Sequence, residues 1–201
     1  MAGGRATRMG GNVEKPMLQV AGKSMLRLVV ETLRQIQTID RIVVAGGSNT
    51  PDTTIEARTL GVEIFPTPGN GFEEDMRNTI RSLGLEDVLV ISADLPLITP
   101  DIISEAITRY HKSGKPALAV MAKIESYQHL GTKPQHIFEI DGQRLAAVGL
   151  NIIDGRRISD KELDQEVFVV DSPEAILNVN NLQELELARK TLDAIKKGVS
   201  E

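Results

Sequence analysis

Apolar residues recur at helical spacing at Leu26, Val29, Val30, Leu33 and Ile36, and the β-branched run Arg41-Ile42-Val43-Val44 follows them. This pattern predicts a one-sided helix and then a strand. Thr50-Pro51-Asp52 reads as a helix start, with Thr as the cap, Pro in the first turn and an acid at the positive dipole end. Gly61 stops that helix, and residues 62–65 form a short strand. A helix over about residues 72–83 leads to Asp87-Val88-Leu89-Val90-Ile91, an apolar strand of the kind covered on both faces. Thr99-Pro100-Asp101 repeats the helix-start chemistry. Further strands are expected at residues 117–121, 145–153, 167–170 and 176–179. The last helix uses Leu182, Leu185, Ala188, Leu192 and Ile195. Strands alternating with helices in this way predict a three-layer α/β/α domain around a mainly parallel, mixed sheet.

The stretch from about residue 126 to 144 is less regular. Its Asp141-Gly142 makes a hairpin turn between Ile137-Phe138-Glu139-Ile140 and Leu145, and we read it as an insertion facing a second substrate. No linker or internal repeat interrupts the pattern, so residues 1–201 are expected to form a single domain.

Composition narrows the chemistry. The 201 residues include no cysteine, which removes disulfides and thiolate metal sites. No apolar run approaches the ~20 residues of a membrane span, and no signal peptide opens the chain, so a cytoplasmic protein is expected. Net charge is −5 and aromatics are 3%, which argues against nucleic acid as a partner. Residues 1–34 nevertheless carry six Lys/Arg against two acids, a basic segment suited to a local anion site. His111, His129 and His136 have no metal-ligand spacing and read as surface or loop residues.

The basic segment contains Ala2-Gly3-Gly4-Arg5-Ala6-Thr7-Arg8-Met9-Gly10-Gly11-Asn12-Val13-Glu14-Lys15-Pro16. Glycines at positions 3, 4, 10 and 11 let backbone N–H groups approach an anion, and Arg8 and Lys15 add positive charge. Gly22-Lys23-Ser24 ends like a Walker A loop, but Met17 stands where the earlier glycine is required, so a turn before the next helix is expected there. Asp94 lies just beyond the apolar strand, at the carboxyl end where open α/β sheets bind ligands, and a carboxylate there can hold Mg²⁺ against phosphates. The bland alternative is a carboxylate capping the next turn. Asn180 with Gln183, or Asn181 with Glu184, would make a helix-start box.

The Ala-Gly-Gly-x-x-x-Arg-Met-Gly-Gly-x-x-x-Lys spacing resembles the signature loop of the sugar- and cofactor-nucleotidyltransferases. Within them the chain most resembles the archaeal-type GTP:adenosylcobinamide-phosphate guanylyltransferases of cobalamin biosynthesis, then the molybdenum-cofactor guanylyltransferases. The likeness continues through Pro68-Gly69-Asn70-Gly71-Phe72-Glu73-Glu74-Asp75, Ser92-Ala93-Asp94-Leu95-Pro96, Val148-Gly149-Leu150-Asn151 and Leu177-Asn178-Val179-Asn180-Asn181. It implies a Rossmann-like nucleotidyltransferase fold, with GTP and a phosphorylated corrinoid as partners and Mg²⁺ as cofactor. Arg8, Lys15 and Asp94 would be catalytic, and Asp94 and Asn180 the metal ligands. Nucleotide contacts would come from Ala2, Gly3, Gly4, Thr7, Gly10, Ala45, Gly46, Gly69, Asn70, Gly71 and Gly149. A homodimer is compatible with the pattern. The competing readings are a molybdenum-cofactor or sugar-phosphate nucleotidyltransferase and a non-catalytic nucleotide-binding regulatory module. In the families resembled, a buried apolar strand directly precedes Ala-Gly-Gly. Only Met1 stands there, so the expectation is that the natural chain starts several residues upstream, or that the core is weakened at this point.

Overall fold

The computed structural model describes residues 1–3, 13–47, 49–134 and 136–198. After a 3₁₀ turn over Lys15–Met17, a small hairpin of β1 (Gln19–Val20) and β2 (Lys23–Ser24) turns at Ala21 and Gly22, both with positive φ. Helix α1 (Met25–Leu33) then begins under a Ser24 cap whose hydroxyl accepts the Arg27 N–H. Alternation follows: β3 (Val43–Gly47), α2 (Pro51–Thr59), β4 (Glu63–Thr67), α3 (Phe72–Leu83), β5 (Asp87–Ile91), α4 (Pro100–Ser113), β6 (Ala117–Lys123) and α5 (Ile124–His129). The chain closes with β7 (Ile137–Ile140), β8 (Gln143–Asp154), β9 (Gln165–Val170), α6 (Pro173–Ile176) and α7 (Leu182–Gly198).

The sheet is mixed, as the pattern predicted. Strands β3 and β4 pair in parallel. The larger sheet has the order β5-β8-β6-β9, in which β8 runs antiparallel to β5 and β6 while β6 and β9 are parallel. Thus β5, β6 and β9 share one direction and β8 is reversed between them. Strand β7 joins β8 through Asp141-Gly142, where both residues take positive φ, the left-handed pair that a two-residue hairpin turn requires.

Alternate residues of the strands face opposite layers. Leu118, Val120, Leu150, Ile152, Phe168 and Val170 pack with Val29 and Leu33 of α1 and with Ile103, Ala106 and Tyr110 of α4. On the other side, Met76 and Ile80 of α3 meet Val90 and Ile153. This is the three-layer arrangement that period-2 strands between amphipathic helices produce. His111, His129 and His136 are exposed.

Between β3 and β5 the backbone of Met1 and Ala2 bridges the two sheets. The Met1 ammonium donates to Ile91 O (2.9 Å), Ala93 N–H donates to Met1 O (3.1 Å), and Ala2 N–H donates to Ala45 O (2.8 Å). The pair of bonds to residues 91 and 93 is the spacing of a parallel ladder. Beyond Met1 the two strand edges part around a cavity of about 590 Å³, walled by Ile42 and Val43 on one side, Leu89 and Val90 on the other, and Met76 and Ile80 above.

Two expectations are corrected. Residues 176–179 are not a strand. Pro173 starts the short helix α6, and beyond it Val179 N–H bonds to the Asp94 backbone carbonyl (3.0 Å), so this apolar run is extended against a loop, not against a sheet. Thr50 and Thr99 stand at the N-cap positions of α2 and α4, yet neither side chain makes the cap bond. The Thr50 hydroxyl donates to Gly47 O (3.0 Å). The start of α2 is capped instead by Glu14, which is distant in sequence.

Candidate active site

Asp94 follows β5 by three residues, where the chain leaves the sheet. Its carboxylate is held at both oxygens. Asn178 Nδ2 donates to Oδ1 (3.2 Å) and also to Val148 O (3.0 Å), which ties the Asn178-Val179-Asn180 segment to β8. Lys15 Nζ donates to Oδ2 and to Asn180 Oδ1, the latter at 2.7 Å. Only 18% of the Lys15 side chain and 14% of Asp94 is exposed, so this ion pair is poorly screened by solvent.

Each partner is positioned by its own local chemistry. Lys15 begins the 3₁₀ turn with Pro16, and Glu14 just before it is buried, its two oxygens accepting from Asp52 N–H (2.8 Å) and Thr53 N–H (2.6 Å). An acid at a helix N-terminus satisfies otherwise unpaired N–H groups and meets the positive dipole end. Asn180 is oriented by two contacts. Its Nδ2 donates to Asn178 O (3.3 Å), and its backbone N–H donates to Glu184 Oε2 (2.6 Å). The helix-start box uses the Asn181–Glu184 register, since Asn181 Oδ1 accepts the Glu184 N–H (2.9 Å). The cap therefore does not engage the Asn180 side-chain oxygen, which meets Lys15.

A cavity of about 250 Å³ opens over this cluster. Ala2 and Gly3 form one wall, Gly69 and Gly71 the facing one, with Lys15 and Asp94 between. Buried Asp75 shapes the facing wall, accepting from Gly69 N–H (3.2 Å) and Asn70 N–H (3.4 Å) through Oδ1. Gly71 has φ 123°, open only to glycine at low cost, and it launches α3 with Phe72 at the cavity mouth, 45% exposed.

The structure thus gathers Ala2, Gly3, Lys15, Gly69, Gly71 and Asp94 at one cavity, with Asn180 reaching it through Lys15. Other expected nucleotide contacts stand elsewhere. Asn70 turns its amide to Glu74 (2.8 Å). Ala45 and Gly46 lie behind Ala2, the Ala45 carbonyl already taking the Ala2 N–H. Gly149 backs the site: φ is 93°, and a Cβ there would come within 3.3 Å of the Ser92 side chain. Gly4, Thr7, Arg8 and Gly10 lie outside the described residues. Sequence reasoning missed Glu14, Asp75 and Asn178 as positioning groups. A buried carboxylate beside a glycine-rich loop has no signature of its own in a sequence. Asn178 was visible only as part of an Asn-Val-Asn-Asn string.

A glycine-walled cavity with Lys15 and Asp94 between its walls, set at the carboxyl end of a layered α/β sheet, stands where proteins of this architecture bind their ligands. Comparison with known proteins gives the class. The MobA-like NTP transferase domain matches residues 1–164, and the chain belongs to that family of nucleotidyltransferases. It is 32% identical to the adenosylcobinamide-phosphate guanylyltransferase of Methanocaldococcus jannaschii, covering 96% of this chain and 95% of the relative. A probable molybdenum cofactor guanylyltransferase of Thermococcus kodakarensis is 29% identical over 58% of this chain and 55% of its own. Among solved structures, the Archaeoglobus fulgidus molybdopterin-guanine dinucleotide biosynthesis protein A superposes with a TM-score of 0.64 at 16% identity, over 96% of both chains. A CMP:2-keto-3-deoxy-manno-octonic acid synthetase complexed with CTP gives 0.70 at 13% identity, over 90% of this chain and 92% of that one. At such identities the structures share the fold alone. No helix among the described residues is long and apolar enough to cross a membrane.

Proposed function

We propose that the protein transfers GMP from GTP to adenosylcobinamide phosphate, giving adenosylcobinamide-GDP and pyrophosphate in cobalamin biosynthesis. The observation that carries this reading is the span of the likeness: 96% of the chain aligns with the cobinamide-type relative, against 58% with the molybdenum type. A cytoplasmic location follows from the donor, because GTP is supplied there.

Lys15 and the backbone N–H of Gly3 would grip the phosphates, and Asp75 would hold the Gly69–Gly71 wall in place against the nucleoside. An acceptor phosphate oxygen attacks the α-phosphorus of GTP, and the bond to the β-phosphate bridging oxygen breaks to release pyrophosphate. A phosphate monoester is anionic near neutral pH, so no side chain need remove a proton. The chain's contribution is alignment and fixed positive charge around the transferring group. Asp94 and Asn180 fit a hard divalent cation, since a carboxylate and an amide oxygen already converge on one positive charge, that of Lys15. Mg²⁺ held there would supply charge neutralisation on the phosphates. Arg8 is assigned to the same work on the resemblance of the signature loop.

The test is direct. Purified protein with Mg²⁺ and GTP should convert adenosylcobinamide phosphate to its GDP derivative, resolved by chromatography, with stoichiometric pyrophosphate. Product with molybdopterin alone would move the protein to the molybdenum branch, and no product with any acceptor would favour a nucleotide-binding module without turnover.

A further inference from the structure

The position that the Lys15 ammonium occupies is one that any compact cation would fit. Asp94 Oδ1 is tied to Asn178, which turns Oδ2 toward the ammonium, and Asn180 Nδ2 is tied to Asn178 O, which turns Oδ1 to the same point. Two oxygens from segments far apart in the chain are thus aimed at one spot by second bonds that both run to Asn178. Hard oxygen donors so arranged suit a small divalent cation, and the ammonium suits them equally because it is compact and donates only. Two cations do not share such a spot, since their repulsion at contact distance is strong in a part-buried site. The Lys15 backbone is pinned through Glu14 and the Pro16 turn, while its four-carbon stem can swing the charge.

We propose that in the nucleotide-free protein the Lys15 ammonium stands in for the divalent cation between Asp94 and Asn180, and that the nucleotide's phosphates draw it off as the metal enters. The inference rests on the reading of Asp94 and Asn180 as cation ligands given above. It makes metal and nucleotide binding mutually reinforcing. The phosphates give Lys15 a new anionic partner, and its departure gives the metal a vacated pair of oxygens.

Mn²⁺ titrated into nucleotide-free protein, with free Mn²⁺ read by electron paramagnetic resonance, tests this without any turnover. The wild type is expected to bind Mn²⁺ weakly. Lys15→Met, which keeps the stem and removes the charge, is expected to bind one Mn²⁺ at least about tenfold more tightly, which is about 1.4 kcal/mol. The double variant Lys15→Met/Asp94→Asn should lose that gain. Lys15→Gln serves as a second variant, read the same way, should the methionine variant fold poorly. Equal Mn²⁺ affinity in wild type and the charge-removed variant would overturn the proposal while leaving Asp94 a ligand of the ternary complex. A Mn²⁺–GTP affinity unaltered by Asp94→Asn would overturn both that assignment and this proposal.

Discussion

Lys15 bonds to residues 79 and 165 positions away in the chain, and the consequences of losing it differ from those of losing a core residue. Lys15→Ala and Asp94→Ala are each expected to lower turnover by roughly 10²–10³, the usual cost of a preorganised charge contact at a reacting centre, and to reduce turnover far more than folding stability. Steady-state rates at saturating GTP and Mg²⁺, alongside thermal melts, check this; near-normal turnover in either variant would remove that residue from the mechanism. Asn178 acts one step back. Asn178→Ala frees Asp94 Oδ1 and leaves the Val148 carbonyl without this donor, so we expect a higher Mg²⁺ requirement together with a stability loss of about 1 kcal/mol. A variant with unchanged Mg²⁺ dependence would show that Asn178 serves packing alone. At this scale the sequence singled out Lys15 and Asp94, where chemistry and loop spacing coincide and which the folded chain brings to one cavity. It was silent where a residue works by holding another, as at Asp75, because that role exists only once Gly69 and Asn70 are folded onto it.

Elements were read well wherever a local rule governs them. Helix α3 was expected over residues 72–83 and spans Phe72–Leu83, because an amphipathic run ending at Gly84 with left-handed φ carries its own stop signal. The cap of α2 escaped for the opposite reason, since Glu14 reaches it across 38 and 39 residues. Glu14→Ala should therefore cost about 1–2 kcal/mol, measured by the urea midpoint, whereas Thr50→Ser should cost much less. Equal costs would mean that Glu14 is not the effective cap. The bridge made by Met1 carries a pH signature. Burial lowers its ammonium pKa from 8.0 to about 6, against the opposing charge of Asp94. The folded protein then releases a proton that the unfolded chain still holds between those values, so stability should rise from about pH 6 to pH 8 by up to roughly 3 kcal/mol and level off above.

For the whole molecule, ligand linkage is the simplest measure of the proposed activity. Mg²⁺ with GTP should raise the melting temperature in proportion to the logarithm of nucleotide concentration, about 2.7 kcal/mol at a hundred times Kd. ATP at the same concentration should do much less, because polar groups set for one purine edge are left unpaired by the other. Equal shifts would argue for a site that reads phosphates alone.

The alternation of strand and helix, the hairpin at Asp141-Gly142 and the strand-end position of Asp94 were all determined by sequence, since each follows from side-chain period or turn chemistry within a few residues. The extended path of residues 177–180 was decided by tertiary structure: Val179 and Asn178 find their partners at Asp94 and Val148, and no local pattern encodes that choice over a sheet ladder. The meeting of Lys15, Asp94 and Asn180 was decided there too. Three segments far apart along the chain bring one positive charge and two oxygens to a single point, and only the packing of α/β layers fixes that distance.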